Sequence, residues 1–92
     1  MTEYEVQMFR RPGTLRKSKP TTEGVEAVIT AYTINHLIGV PGLSVLQVRN
    51  DGMEWKFYTV SVQEIGQQIL IILDLVTEED AKKILIENGG DN

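Results

Sequence analysis

Tyr32 and His36 are the first residues in this chain whose types and spacing could do chemistry. Four positions apart, they fall one helical turn from each other, so a phenol and an imidazole could share a proton or a ligand. His36 is the only histidine. No Ser, Asp or Glu stands at a spacing that completes a nucleophile–base set, and no carboxylates are placed to finish a metal site. A histidine in the last turn of a helix is also what the helix dipole favours. Asp74 interrupts the apolar run Ile69–Val76 and would be a perturbed acid if buried, but close before a helix start it reads as a cap or a residue facing water.

Other chemistries fall away by composition and spacing. The chain has no cysteine, which removes disulfides, thiolate catalysis and Cys-ligated metals together, and fits a reducing cytoplasm. Gly39-Val40-Pro41-Gly42 lacks the spacing of a phosphate-cradling loop, and its proline removes an amide donor. Asn50-Asp51-Gly52 resembles a fragment of a calcium loop, but Met53, Trp55 and Phe57 stand where further ligands would be needed. The sequence therefore predicts no catalytic residue, no cofactor and no metal: a non-enzymatic protein.

Charge is the more informative signal. Arg10, Arg11, Arg16, Lys17 and Lys19 are five of only nine Lys and Arg residues in a chain of net charge −4. They lie on a stretch punctuated by Pro12-Gly13 and Pro20, with no acid between them. Such an arm can meet phosphates or an acidic protein surface, since charge neutralisation needs no fixed geometry. The plainer reading is a solvated loop that balances an acidic body. Trp55 and Phe57 are a candidate aromatic contact, although Val48 and Leu46 opposite them favour core packing.

The elements that position these groups read as follows. Glu3–Phe9 alternates as a half-buried strand, and residues 10–22 form a long basic loop, longer than the ~4–6 residues usual in compact domains. Residues 23–38 mix helical boundary signals with β-branched residues; length favours a helix. Thr22 is its expected N-cap, with Ala27, Ala31, Ile34 and Ile38 inward. Asn50–Met53 reads as a tight turn centred on Asp51-Gly52, pairing Arg49 with Glu54, Val48 with Trp55 and Leu46 with Phe57. Gln68–Val76 suits a well-covered strand after a bend at Gly66, and Thr77 caps a final helix with Ala81, Ile84, Leu85 and Asn88 inward. Residues 89–92 are expected to fray.

The order β-α-β-β-β-α predicts one α+β domain over residues 1–92, a two-layer sandwich with both helices on one face of an antiparallel sheet of three to four strands. The last five elements share their order with double-stranded-RNA-binding domains. The Gly- and Lys-rich start of the final helix in that family is here Thr77-Glu78-Glu79-Asp80, where acids repel phosphate. Met1–Gln7 lacks the basic start and apolar run of a secretion signal, and no apolar run is long enough to span a bilayer, so a cytoplasmic protein with no membrane partner is expected. The functional expectation is a small binding or regulatory module. It would act through protein–protein contact, as a homodimer through a free hairpin edge or on an acidic partner that meets residues 10–19. The alternative is a nucleic-acid-binding accessory protein using the same loop as a phosphate arm.

Overall fold

The computed structural model describes residues 1–87. Its element order is β1 (Tyr4–Met8), a single 3-10 turn (Pro12–Thr14), β2 (Arg16–Lys17), α1 (Val25–His36), β3 (Leu43–Asn50), β4 (Lys56–Ile65), β5 (Gln68–Val76) and α2 (Glu78–Glu87). The fold is α+β: one antiparallel sheet of five strands, ordered β2-β1-β3-β4-β5, with two helices. The expected count of three to four strands is short because the basic stretch supplies a strand of its own. Lys17 and Arg16 pair with Glu5 and Val6 of β1.

The two helices cover opposite faces of the sheet, not one. Along a strand, side chains alternate between faces. Val6, Leu46, Val48, Tyr58 and Val60 form one core with Ile29, Tyr32 and Leu37 from α1 and its end. The intervening positions Val45 and Phe57 form a second core with Phe9 and with Ala81 and Leu85 of α2. This makes three layers in place of the expected two-layer sandwich. Strands buried on both faces cannot show a clean apolar–polar alternation, which is why a one-face reading of β4 goes wrong.

The β3–β4 connection shows the consequence. The turn forms as its residues require: Asp51 and Gly52 both adopt positive φ, and the Met53 amide donates to the Asn50 carbonyl at 2.8 Å. The ladder then resumes one residue out of step, pairing Val48 with Lys56, Gln47 with Phe57 and Leu46 with Tyr58. The expected partners Glu54, Trp55 and Phe57 are each displaced by one. An extra residue on the β4 side re-aims every side chain beyond it. Phe57 thereby reaches Phe9, edge to face with centroids 5.2 Å apart, and Tyr58 and Val60 turn to the α1 side. Arg49 is held by Glu5 of β1, not Glu54, with Nε 3.0 Å from Oε1.

α1 begins later than expected and presents another stripe. Its N-cap is Gly24 rather than Thr22, without a side-chain hydrogen bond. Ile29, Tyr32 and Thr33 are buried, whereas Ile34 is 56% exposed and Ile38 is also open. Burial follows the stripe that carries the bulk of Ile29 and Tyr32, not the one with two alanines. Thr33 is tolerated there because its hydroxyl donates to the Ile29 carbonyl at 2.8 Å. α2 starts as its sequence directs, with the Thr77 hydroxyl oxygen accepting from the Asp80 amide at 3.1 Å. Ala81 and Leu85 point inward and Ile84 packs beside them. Asn88 and the expected frayed residues 89–92 lie outside the described residues.

β5 is an edge strand, not a well-covered one, and Ile69, Leu70, Ile72 and Leu75 are exposed along it. The β3–β4 hairpin has no free edge, because β1 flanks one side of it and β5 the other.

Candidate functional site

The basic stretch is fastened to the sheet through its backbone. The Ser18 amide donates to the Tyr4 carbonyl at 2.8 Å, and the Ser18 hydroxyl oxygen accepts from the Tyr4 amide at 2.9 Å. Thr21 and Thr2 exchange two amide–carbonyl bonds at 2.9 Å. The Thr14 hydroxyl accepts from the Met8 amide at 2.8 Å and donates to the Arg11 carbonyl at 2.6 Å. A segment with these attachments displays its side chains from defined positions, and the long basic loop expected over residues 10–22 includes the two-residue strand β2.

The five cations are consequently divided. Arg16 pairs in register with Val6, whose side chain lies on the α1 face, so Arg16 stands on that side. Its Nη1 donates to the Leu15 carbonyl at 2.8 Å. Lys17 belongs to the opposite face, where its ammonium is 3.3 Å from Glu3 in an exposed pair. Arg10, held at φ 60 with its amide donating to the Gln47 side chain at 3.1 Å, lies over the Phe9 ring on the α2 side. Arg11 and Lys19 make no side-chain ion pair or hydrogen bond among the described residues. Among the described residues, Lys17 is the one of the five held in an ion pair, and an exposed pair of that kind contributes little.

Between this edge and α1 runs a groove of about 360 Å³. Val6, Ala27, Val28 and Ala31 give it an apolar lining; residues 16–19 line its sheet side, with the Lys17 ammonium turned to Glu3 on the other face; Tyr32, Asn35 and His36 also contribute, and Glu23 is its single acid. A neighbouring hollow of about 290 Å³ shares Arg16, Tyr32 and His36 and adds Arg11. Tyr32 is common to both and locks the arrangement, its hydroxyl donating to the Thr14 carbonyl at 3.1 Å. His36 is exposed, with its ring 4.8 Å from that of Tyr32. The pair that chemistry singled out in the sequence thus lies at the groove as a wall.

Trp55 and Phe57 are brought together elsewhere. Both border a hollow on the α2 side with Arg10, but Glu54 and Glu78 line it too, which disfavours an anion there. Phe57 belongs to the second core, and Trp55, just outside β4, carries the Arg49 guanidinium 4.3 Å from its ring centroid. Asp74 is exposed. Among the described residues no cluster of His, Asp or Glu is placed to hold a metal, and no buried side-chain polar atom lacks a partner.

Tyr58 is a perturbed acid. Burial pushes its phenol above the ordinary value, and the negative charge of Glu26 and the neighbouring Tyr4 add to the effect. It sits in the core beneath α1, not in the groove.

The groove is what a reading of the sequence misses. Ala27 and Ala31, taken as an inward face, are instead small residues that leave space beside the cations. Comparison with known proteins finds no family model, no curated sequence and no solved structure that matches this chain.

Proposed function

We propose that this protein is a non-catalytic binding module that takes an acidic, partly apolar segment of a partner protein into the groove between α1 and residues 16–21. The observation that carries the reading is the combination in one concavity of an apolar floor with Arg16 and Lys19 at its border. Apolar contact supplies burial, and fixed cations supply orientation and steering. The volume of about 360 Å³ lies at the small end of ordinary ligand sites and suits a few side chains, not a folded surface. A reducing cytoplasmic setting is part of the proposal, on the absence of cysteine.

A phosphate arm for nucleic acid is the competing use of the same cations. It is less well supported, because phosphate contact needs no apolar floor, and the aromatic pair that could stack bases, Trp55 and Phe57, lies toward the α2 side with Glu54 and Glu78.

The test is a titration with an Asp/Glu-rich peptide bearing isolated leucines, with its Gln/Asn counterpart, and with a single-stranded oligonucleotide, each at low and physiological salt. The reading expects the acidic peptide alone to bind at physiological salt, with affinity falling about tenfold or more in the Arg16→Glu/Lys19→Glu variant. Oligonucleotide binding that dominates and declines steeply with salt would replace it with the phosphate-arm reading.

A further inference from the structure

The outer edge of β5 is the second feature of the molecule that the fold leaves unused, and it is independent of the groove. An edge strand offers unpaired amides and carbonyls, and proteins guard such edges with brevity, proline or lysine. The β2 edge is guarded in this way: it is two residues long, made of Arg16 and Lys17, and lies between Pro12 and Pro20. β5 is not. It runs for nine residues, has no proline or lysine, and its only charge is Asp74.

The geometry of the β4–β5 hairpin fixes which backbone groups face outward. Ile65 pairs with Gln68 across the two-residue Gly66-Gln67 turn, with Gly66 at φ +61. The closing pair of such a turn is hydrogen-bonded, so alternate residues Ile69, Ile71, Leu73 and Leu75 direct their amides and carbonyls away from β4. Among the described residues nothing pairs with them.

We propose that this edge is a homodimer interface, in which β5 pairs antiparallel with β5 of a second copy and Ile72 lies on the two-fold axis. This register overlaps the whole strand and sets Ile69 opposite Leu75 and Ile71 opposite Leu73, so all four outward-facing residues form hydrogen-bonded pairs. On the other face, Asp74 falls opposite Leu70 of the second copy and diagonally within reach of its Gln68 amide, while the two Asp74 carboxylates stay far apart. A second copy is favoured over a foreign strand because the sequence is self-complementary in this arrangement. Ile69 and Leu75 are each more than half exposed, and Leu70 and Ile72 are also exposed. With them the contact buries on the order of 1,000 Å² in total, about the least a specific interface needs. Pairing leaves only the two guarded β2 edges outside, so assembly stops at two chains.

The full chain, measured by sedimentation equilibrium, is expected to be a dimer with slowed exchange at the amides of Ile69, Ile71, Leu73 and Leu75. Ile72→Lys sets two ammonium groups face to face and should weaken the dimer by roughly a hundredfold. Leu70→Lys adds the same charge but meets Asp74 of the second copy, and should keep the dimer. Because Ile72 faces itself in a non-hydrogen-bonded pair, with Cα atoms about 4.5 Å apart, Ile72→Cys should oxidise to a covalent dimer while Leu75→Cys does not. A monomer at every attainable concentration overturns the proposal and leaves the edge to a foreign strand. A dimer that survives Ile72→Lys, or that cross-links through Leu75→Cys, overturns this register. Retention of acidic-peptide binding by the Ile72→Lys monomer separates this result from the fate of the groove.

Discussion

The Tyr32 hydroxyl donates to the Thr14 carbonyl at 3.1 Å, tying α1 to the segment that carries the cations. One bond thus holds two walls of the groove in register. Tyr32→Phe should cost about 0.5–1.5 kcal/mol, the usual net worth of such a bond. For a domain of this size that is a fall in Tm of a few degrees, about 4–8 °C per kcal/mol, measurable by calorimetry. Affinity for an acidic peptide should fall as well, although no charge has been removed.

The helix face can be tested by contrast between two isoleucines five positions apart. Ile29 is fully buried and Ile34 is 56% exposed. Ile29→Ala should destabilise by about 2–5 kcal/mol, through lost burial and the cavity left behind. Ile34→Ala should stay within about 0.5 kcal/mol of the parent. Urea unfolding of the two variants measures both, and equal losses would return the helix to the stripe expected from its sequence.

Arg49 can be read through the only tryptophan. Its guanidinium lies 4.3 Å from the Trp55 ring centroid and is anchored by Glu5. Arg49→Met should shift Trp55 emission and raise its quenching by iodide, as the ring loses its cover and a nearby cation. Glu5→Gln should produce a smaller change in the same direction.

Tyr58 gives the molecule an alkaline limit. Its phenol has a raised pKa when folded, chiefly through burial, with Glu26 and Tyr4 adding to it. The unfolded chain therefore loses this proton first, near the ordinary value of about 10. The stabilisation is complete below that value and is lost as pH rises through the folded pKa. Stability should therefore fall in the alkaline range, and Tyr58→Phe should flatten that part of the profile in pH-dependent urea titrations.

Much of the fold was legible where local chemistry decides it. Asp51-Gly52 announced its turn, Thr77 its cap, and the alternation of Glu3–Phe9 its strand. What failed was whatever depends on the number of layers. With α2 on the second face, Phe57 and Tyr58 are both wanted inside, and the register of β4 follows that demand, not the pairing of Arg49 with Glu54. The apolar run Ile69–Val76 reads alike whether a strand is central or at an edge, since composition does not report neighbours. The cations of the site were visible by type, but their division between faces was not. Two residues of strand pairing and the Tyr32–Thr14 bond sort Arg16 to the groove and Lys17 toward Glu3.

The central claim is that an apolar-floored, cation-rimmed groove is where this protein meets its partner. The most direct measurement is amide and methyl chemical-shift mapping on the full chain during titration with the acidic leucine-bearing peptide. The account predicts perturbations confined to Val6, Ala27, Val28, Ala31 and residues 16–21, lost in the Arg16→Glu/Lys19→Glu variant. Perturbations that instead gather around Trp55 and Phe57, or that leave Ala27 and Ala31 unmoved while the peptide binds, would contradict it.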